Sequence, residues 1–332
     1  MRFAVETWAP DYGAPLDQAS LVASGEAVDV DVEVGFAGWA PRSPTSGVVA
    51  PACCAFVDGV RRVDARVWVT DDGTTRQGIC ASYAAGVVRC RGPEAAIIGA
   101  QVRRGAFIAG TGGGPIATRH GTYRHHPLPS DDPDRLPLAL QDAMAELEHR
   151  VSAEAGVAAL APDDLLVVDG PLRERVRLPG AVGYVKTHHT SYLPEGGDRI
   201  VGALAPGQRT PLFLIGGRWS RWSWYLRLPG EVGHPWAGVV RCEASAEVSV
   251  ADAVGVADRV AVALPRFASV PQKDARAPQN LFPIAGLERE LRRRLGDPGL
   301  LLRSLRLAAA GAASPARAPA GADVDGMLSP TA

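Results

Sequence analysis

The chain has 332 residues, a formal net charge of −1 and 46% apolar residues, which is enough to bury one large core with additions. No apolar run approaches the roughly 18 residues of a membrane-spanning helix, and the first residues lack the long apolar segment of a signal peptide. We therefore expect a soluble, cytoplasmic protein that does not enter a membrane.

Two common kinds of site are not expected from the motifs. The five cysteines form no C-x-x-C pair and are odd in number, which argues against a structural zinc site and against a disulfide framework. The glycine-rich stretch GTGGGP lacks the G-K-[ST] ending of a phosphate-binding P-loop, so nucleotide binding is not expected there.

The first third of the chain predicts β-structure. Residues 27–34 (AVDVDVEV) alternate in the way that is typical of a strand with one exposed face. Residues 51–58 (PACCAFVD) are an apolar run that ends in an acid, and residues 62–70 alternate before a hairpin turn at 71–73. With a further strand at 77–88, these segments predict an antiparallel meander of three strands.

A loop, a helix and a buried strand are predicted next. Residues 110–133 indicate a loop, and the acids around Pro133 indicate a helix that runs to about residue 155. Residues 165–169 (LLVVD) indicate a short strand inside a sheet. The predicted helix has an apolar stripe at Leu140, Met144, Leu147 and Val151.

Further strands and helices are expected toward the C-terminus. Predicted strands lie at 181–187, 212–215, 222–228 and 237–243, and predicted helices at 249–264, 287–295 and 300–307. From residue 308 the chain is rich in Ala, Gly, Pro and Ser, which indicates a disordered tail. We expect an N-terminal extension (1–50), a folded domain (51–307) and a tail (308–332).

The order of these elements, three antiparallel strands, a helix and a buried strand, is that of an RNase H-like core. Asp58 ends the first predicted strand and Asp169 ends the strand after the helix, and in such a core these strands are neighbours. Carboxylates brought together in this way attract Mg²⁺ or Mn²⁺, and two such ions about 3.5–4 Å apart can activate water against a phosphodiester. We predict an α/β fold with an RNase H-like mixed sheet flanked by helices and with added C-terminal strands and helices.

A third metal ligand is expected from the helix. Its candidates are Glu146, Glu148 and Glu154. At about 100° per residue, Glu146 points well away from the apolar stripe, whereas Glu148 and Glu154 flank it. Helical periodicity does not distinguish between the latter two.

Several segments of the sequence resemble the NurA nuclease family. They are FVDGVRRVDARV (56–67), AELEHRVSAEA (145–155), LLVVDGPL (165–172), VGYVKTHHTSYL (182–193), GQRTPLF (207–213) and RAPQNLFPIAGLERELRRRLGD (276–297). Together they extend from about residue 50 to residue 305.

The resemblance implies a DNA nuclease that depends on Mn²⁺ (or Mg²⁺), with exonuclease and single-strand endonuclease activity. It also implies DNA end processing and repair with a HerA-like hexameric ATPase, and a homodimer. Its metal acids are Asp58, Glu148 and Asp169, since the L-E step at 147–148 favours Glu148. Well-known members carry a late Tyr/His motif, whereas the corresponding stretch here has no His, and Glu288 or Asn280 would replace that ligand.

Other residues have both a functional and an ordinary interpretation. Lys186 follows a strand close after Asp169 and is expected to contact the scissile phosphate. His188 and His189 are expected to be exposed loop residues. The histidines of the loop, also expected to face solvent, are His120, His125 and His126.

Trp222 and Trp224 share a strand face, for which core packing is favoured over the stacking of bases. The arginine-rich stretch 289–306 is either a DNA-facing surface or a solvated helix. Two further functions remain open, namely a non-catalytic DNA-binding or adaptor subunit, because of the absent His, and an RNase H-like enzyme that acts on RNA.

Overall fold

The computed structural model describes residues 22–23, 25–71, 73–156, 160–172, 180–188, 190–217, 219–230 and 233–313. The strands are β1 (Val22–Ala23), β2 (Val28–Asp29), β3 (Cys53–Asp71), β4 (Thr74–Arg91), β5 (Glu94–Ile108), β6 (Ile116–Thr118), β7 (Gly121–Pro127), β8 (Leu165–Asp169), β9 (Ala181–Val185), β10 (Thr190–Ser191), β11 (Phe213–Ile215), β12 (Arg221–Arg227) and β13 (Val239–Ser245). The α-helices are α1 (Leu136–Glu154), α2 (Gly197–Gly202), α3 (Val250–Ala263), α4 (Phe282–Arg294) and α5 (Pro298–Ala313). Among the described residues, no helix has the length and apolar character needed to cross a membrane.

One mixed sheet of eleven strands organises the chain, in the order β2-β11-β12-β13-β9-β8-β3-β4-β5-β7-β6. At its centre, β3, β4 and β5 form an antiparallel meander, while β8 pairs in parallel with β3 and β9 in parallel with β8. The strands from β13 outward extend this centre in antiparallel pairing. The predicted α/β class, with a large mixed sheet flanked by helices, is confirmed.

Helices cover both faces of the central strands. Successive residues of a strand point to opposite faces, and Ala84 and Ala85 of β4 accordingly lie in two different core clusters. The predicted stripe of α1 is buried on one face, and α4 packs on the other face through Leu287 and Leu291. The side chains of β3 therefore face α1 or α4 according to their parity.

The first predicted strand and the alternating stretch after it are one strand, so the prediction that Asp58 ends a strand is wrong. β3 runs through Asp58 to Asp71, and a register shift between Val63 and Ala65 marks a bulge. The buried Asp64 carboxylate at this bulge accepts hydrogen bonds from Ser82 Oγ at 2.5 Å and Tyr123 OH at 3.0 Å. Because these bonds satisfy the polar side chain, the strand continues through it.

Three other local predictions are also wrong. The alternating stretch 27–34 is a strand only at β2, because Asp31 Oδ1 accepts a hydrogen bond from the Phe36 amide and turns the chain. The predicted loop 110–133 contains β6 and β7. The helix α5 continues through 308–313, where alanine, the best helix former, predominates. Residues 314–332 of the predicted tail lie outside the described residues.

A buried arginine joins the N-terminal segment to the C-terminal half of the sheet. Arg209 is 2% exposed, and it donates hydrogen bonds to Asp258 Oδ1 at 2.8 Å and to Glu33 Oε2 at 2.9 Å. Asp258 also accepts a hydrogen bond from Thr45 Oγ1 at 2.6 Å. One guanidinium thus holds carboxylates from two distant parts of the chain.

We expect Arg209→Met to lower the free energy of unfolding by about 3–5 kcal/mol, because it leaves the buried Asp258 carboxylate without its cation and Glu33 with Arg42 alone. The measurement is equilibrium unfolding in urea. The matched control is Arg150→Met, which removes an exposed i,i+4 pair with Glu146 and should change stability little. Equal losses of unfolding free energy in both variants would mean that the buried cluster stabilises the fold no more than an exposed ion pair does.

Candidate metal centre

The parallel pairing of β3 with β8 brings Asp58 and Asp169 together. Val57 pairs with Val168, so the next residue of each strand, an aspartate, lies at the same level of the sheet. Asp58 occupies the middle of β3, and Asp169 is the last residue of β8. The two acids therefore lie side by side as predicted, although only Asp169 is at the end of its strand.

A third carboxylate approaches from α4. One carboxylate oxygen from each of Asp58, Asp169 and Glu288 lies within 4.8 Å of the other two. Asp58 has the same strand parity as Phe56 and Val60, which pack in the core cluster that α4 closes. The first turns of α4 thus place Glu288 beside both aspartates. Glu288 is one of the two residues expected from the sequence in place of the absent His.

Two carboxylate oxygens of this centre have no hydrogen-bond partner among the described residues. Asp58 Oδ2 and Asp169 Oδ1 are buried and accept no hydrogen bond from any described residue. Burial raises the pKa of the Asp58 carboxyl well above its ordinary value, and the charge of Asp169 raises that pKa further. Three clustered carboxylates, two of them with an unsatisfied oxygen, match the oxygen donors that Mg²⁺ and Mn²⁺ prefer, so the residues fit a divalent ion.

Lys186 lies within the centre, directly after β9. Its Nζ donates hydrogen bonds to Asp169 Oδ2 at 2.7 Å and to Asn280 Oδ1 at 3.1 Å. Burial alone would lower the pKa of the Lys186 ammonium, but Asp169 and Asp58 hold that pKa above its ordinary value. The centre therefore contains a protonated amine of its own.

The segment before α4 contributes a second cation, Arg276, and a buried amide, Asn280. Their contacts in the centre are not predicted by the sequence. The Arg276 guanidinium binds both carboxylate oxygens of Glu288. Asn280, completely buried, donates through Nδ2 to Asp274 Oδ2 at 2.7 Å. The sequence signal was their shared position in the segment 276–297, but nothing in that segment indicates which side chains meet.

Glu148 of α1 approaches the centre from the opposite face of the sheet. It is 6% exposed, and a Cβ added to Gly59 would lie 2.5 Å from Glu148 Oε1. The absence of a side chain at Gly59 thus lets this carboxylate come next to Asp58, yet it is not among the three oxygens that lie together. Glu146 is exposed and pairs with Arg150, and Glu154 accepts a hydrogen bond from Gln101.

One predicted loop histidine and two tryptophans of the arginine-rich strand β12 are buried. His188 is buried, so its prediction as an exposed residue is wrong. Its Nε2 lies 3.1 Å from the Val239 carbonyl oxygen, and its ring packs against Trp236 at 4.9 Å. His189 lies outside the described residues. Trp222 and Trp224 are buried in the core, as predicted.

Of the three loop histidines, only His120 is fully exposed. His126 stacks on Phe107 with ring centroids 4.5 Å apart, so the prediction that it faces solvent is wrong. The six arginines of the stretch 289–306 are exposed on α4 and α5. Arg293 and Arg294 both pair with Glu290, which offsets one of their two positive charges.

No protein-family model matches the chain, and no curated protein matches it by sequence. Among solved structures, the chain is similar to the NurA nuclease from Sulfolobus solfataricus over 81% of this chain and 88% of that chain. The two share 11% sequence identity and superpose with a TM-score of 0.46, a likeness too low to support an argument about family or activity.

Proposed function

We propose that the chain is a divalent-metal-dependent nuclease. The observation that supports this function is the cluster of Asp58, Asp169 and Glu288, which each place one carboxylate oxygen within 4.8 Å of the other two. Each of the two aspartates also has a buried oxygen with no hydrogen-bond partner among the described residues. Buried like charges are unfavourable unless a cation is bound among them. The segments that resemble the NurA family contain all three acids, and they favour DNA as the substrate.

In this proposal the three acids hold Mn²⁺ (or Mg²⁺), and Glu148 adds a further carboxylate from α1. A bound ion would supply Lewis-acid chemistry, which would polarise a phosphodiester and make water nucleophilic at neutral pH. Lys186 remains protonated at Nζ and binds a phosphate oxygen as a point charge. The surrounding core buries Asp58 and the Oδ1 atom of Asp169, and this strengthens the electrostatic interactions of those atoms.

Asp58→Asn and Asp169→Asn should each lower the cleavage of labelled single-stranded DNA in Mn²⁺ by at least about a hundredfold, since each removes a ligand charge. EDTA should stop cleavage by the wild type. Calorimetric titration should show weaker Mn²⁺ binding by both variants.

The matched control is Asp142→Asn, which changes an exposed aspartate of α1 and should leave cleavage and Mn²⁺ binding unchanged. A folded Asp58→Asn or Asp169→Asn variant with nearly wild-type cleavage would refute the metal assignment.

We expect Glu148→Gln to reduce Mn²⁺-dependent cleavage at least about tenfold, because its buried carboxylate adjoins Asp58. Glu146→Gln is the control on the same helix, since Glu146 faces solvent, and it should behave as the wild type. Glu154→Gln should also have little effect. If Glu154→Gln were the damaging change and Glu148→Gln mild, the ligand from α1 would have to be reassigned.

A non-catalytic nucleic-acid-binding or adaptor subunit is the second candidate. It is favoured by one observation: the protein itself supplies cations to two of the three acids, Lys186 to Asp169 and Arg276 to Glu288. If the wild type and Asp58→Asn cleave equally little but both retard labelled DNA in a gel, this second function replaces the first. Cleavage confined to an RNA strand would instead indicate an RNase.

The proposed partners rest on the family resemblance alone. They are DNA, a HerA-like hexameric ATPase and a second copy of the chain. We expect the purified protein to sediment as a dimer and to co-elute with such an ATPase in gel filtration. A monomer that elutes separately at micromolar concentration would contradict both expectations.

A further inference from the structure

Asn280 lies in a segment whose backbone is held by two hydrogen bonds beside the metal centre. Tyr184 OH, from β9, donates a hydrogen bond to the Gln279 carbonyl oxygen at 2.6 Å. The Asn280 backbone amide donates to the Arg276 carbonyl oxygen at 2.9 Å. The Asn280 side chain is completely buried, so its amide group is shielded from solvent.

The orientation of that amide follows from its neighbours. Asp274 Oδ2 lies 2.7 Å from Asn280 Nδ2, and an ionised carboxylate only accepts hydrogen bonds. The NH₂ end must therefore face Asp274. The opposite end, Oδ1, is then directed at Lys186 Nζ, 3.1 Å away, where an acceptor is required.

The Lys186 ammonium has three N–H donors, and two side-chain oxygens accept from it. Asp169 Oδ2 accepts one N–H at 2.7 Å and Asn280 Oδ1 accepts another. Among the described residues, no third acceptor binds this ammonium. Because two bonds hold Nζ, the direction of the third N–H is defined before any ligand arrives.

We propose that Asn280 is a positioning residue that, with Asp274 behind it, directs the free N–H of Lys186 toward a phosphate oxygen of the nucleic-acid substrate. The proposal rests on the proposed nuclease function. It gives Asn280 a role that acts through Lys186, whose Nζ donates a hydrogen bond to Asn280 Oδ1, rather than the role of a fourth metal ligand. Asp274 acts through the orientation of the Asn280 amide.

The first test observes Lys186 directly and needs no catalysis. The chain has only two lysines, so protein labelled with [ζ-¹⁵N]lysine gives two signals, and Lys273→Arg assigns them. In the metal-free wild type, we expect the Lys186 ammonium protons to exchange with water at least about tenfold more slowly than those of exposed Lys273. Asn280→Leu should abolish that protection. A short oligothymidylate in EDTA should shift the Lys186 signal of the wild type and leave Lys273 unchanged.

The second test is a double-mutant cycle on kcat in Mn²⁺. Asn280→Leu should lower kcat about tenfold in the wild type and less than about twofold in a Lys186→Met background, since Asn280 acts through that amine. Asp274→Asn, a milder change, frees the amide to turn its NH₂ end toward Lys186 and should also lower kcat. A purely structural role would give equal losses in both backgrounds.

The outcomes separate this inference from the proposed function. If the wild type does not cleave nucleic acid but Lys186 is protected and shifts with oligothymidylate, the nuclease function fails and the positioning role stands. If Asn280→Leu folds and Lys186 keeps its protection, the positioning role is refuted even in an active nuclease. If Asn280→Leu does not fold, the protection measured in Asp274→Asn decides in the same way.

Discussion

The parallel pairing of β3 with β8 is the constraint on which the site depends. It brings the backbones of Asp58 and Asp169 to the same level of a buried sheet, where two negative charges repel in a medium of low dielectric constant. The neighbouring groups reduce that cost. Lys186 pairs with Asp169, and Arg276 pairs with the third carboxylate, Glu288. Lys186 and Arg276 thus offset the carboxylate repulsion that this strand pairing creates.

The two faces of the sheet contribute unequally to the centre. The side of α4 supplies Glu288, together with the segment that holds Asn280 and Arg276. Among the described residues, the side of α1 supplies Glu148, which reaches the centre because Gly59 has no side chain to obstruct it. A strand residue without a Cβ therefore lets a carboxylate from one face approach acids that belong to the other.

The sequence predicted the class of fold and the approach of Asp58 to Asp169, because both depend on local patterns and on the order of elements. It predicted Glu288 only as a replacement for an absent histidine. It did not predict that Arg276 binds Glu288, or that Asn280 binds Lys186, because those contacts depend on how α4 packs across the sheet. The single long β3 was missed for a related reason: its polar interruption at Asp64 is satisfied by Ser82 and Tyr123, which are distant in sequence.

The length of β3 affects how the molecule opens. At about 3.3 Å per residue, its 19 residues span roughly 60 Å, whereas the five residues of β8 span about 16 Å. Beyond the Asp64 bulge, the hairpin is backed by a small cluster around Ile108 and Leu305, and Trp68 is 71% exposed. Fewer buried contacts mean a lower local free energy of opening. The outer part of the hairpin can therefore open and re-form while the strand pairing at Asp58 stays intact. Motion at the tip of the hairpin then leaves the inner strands undisturbed.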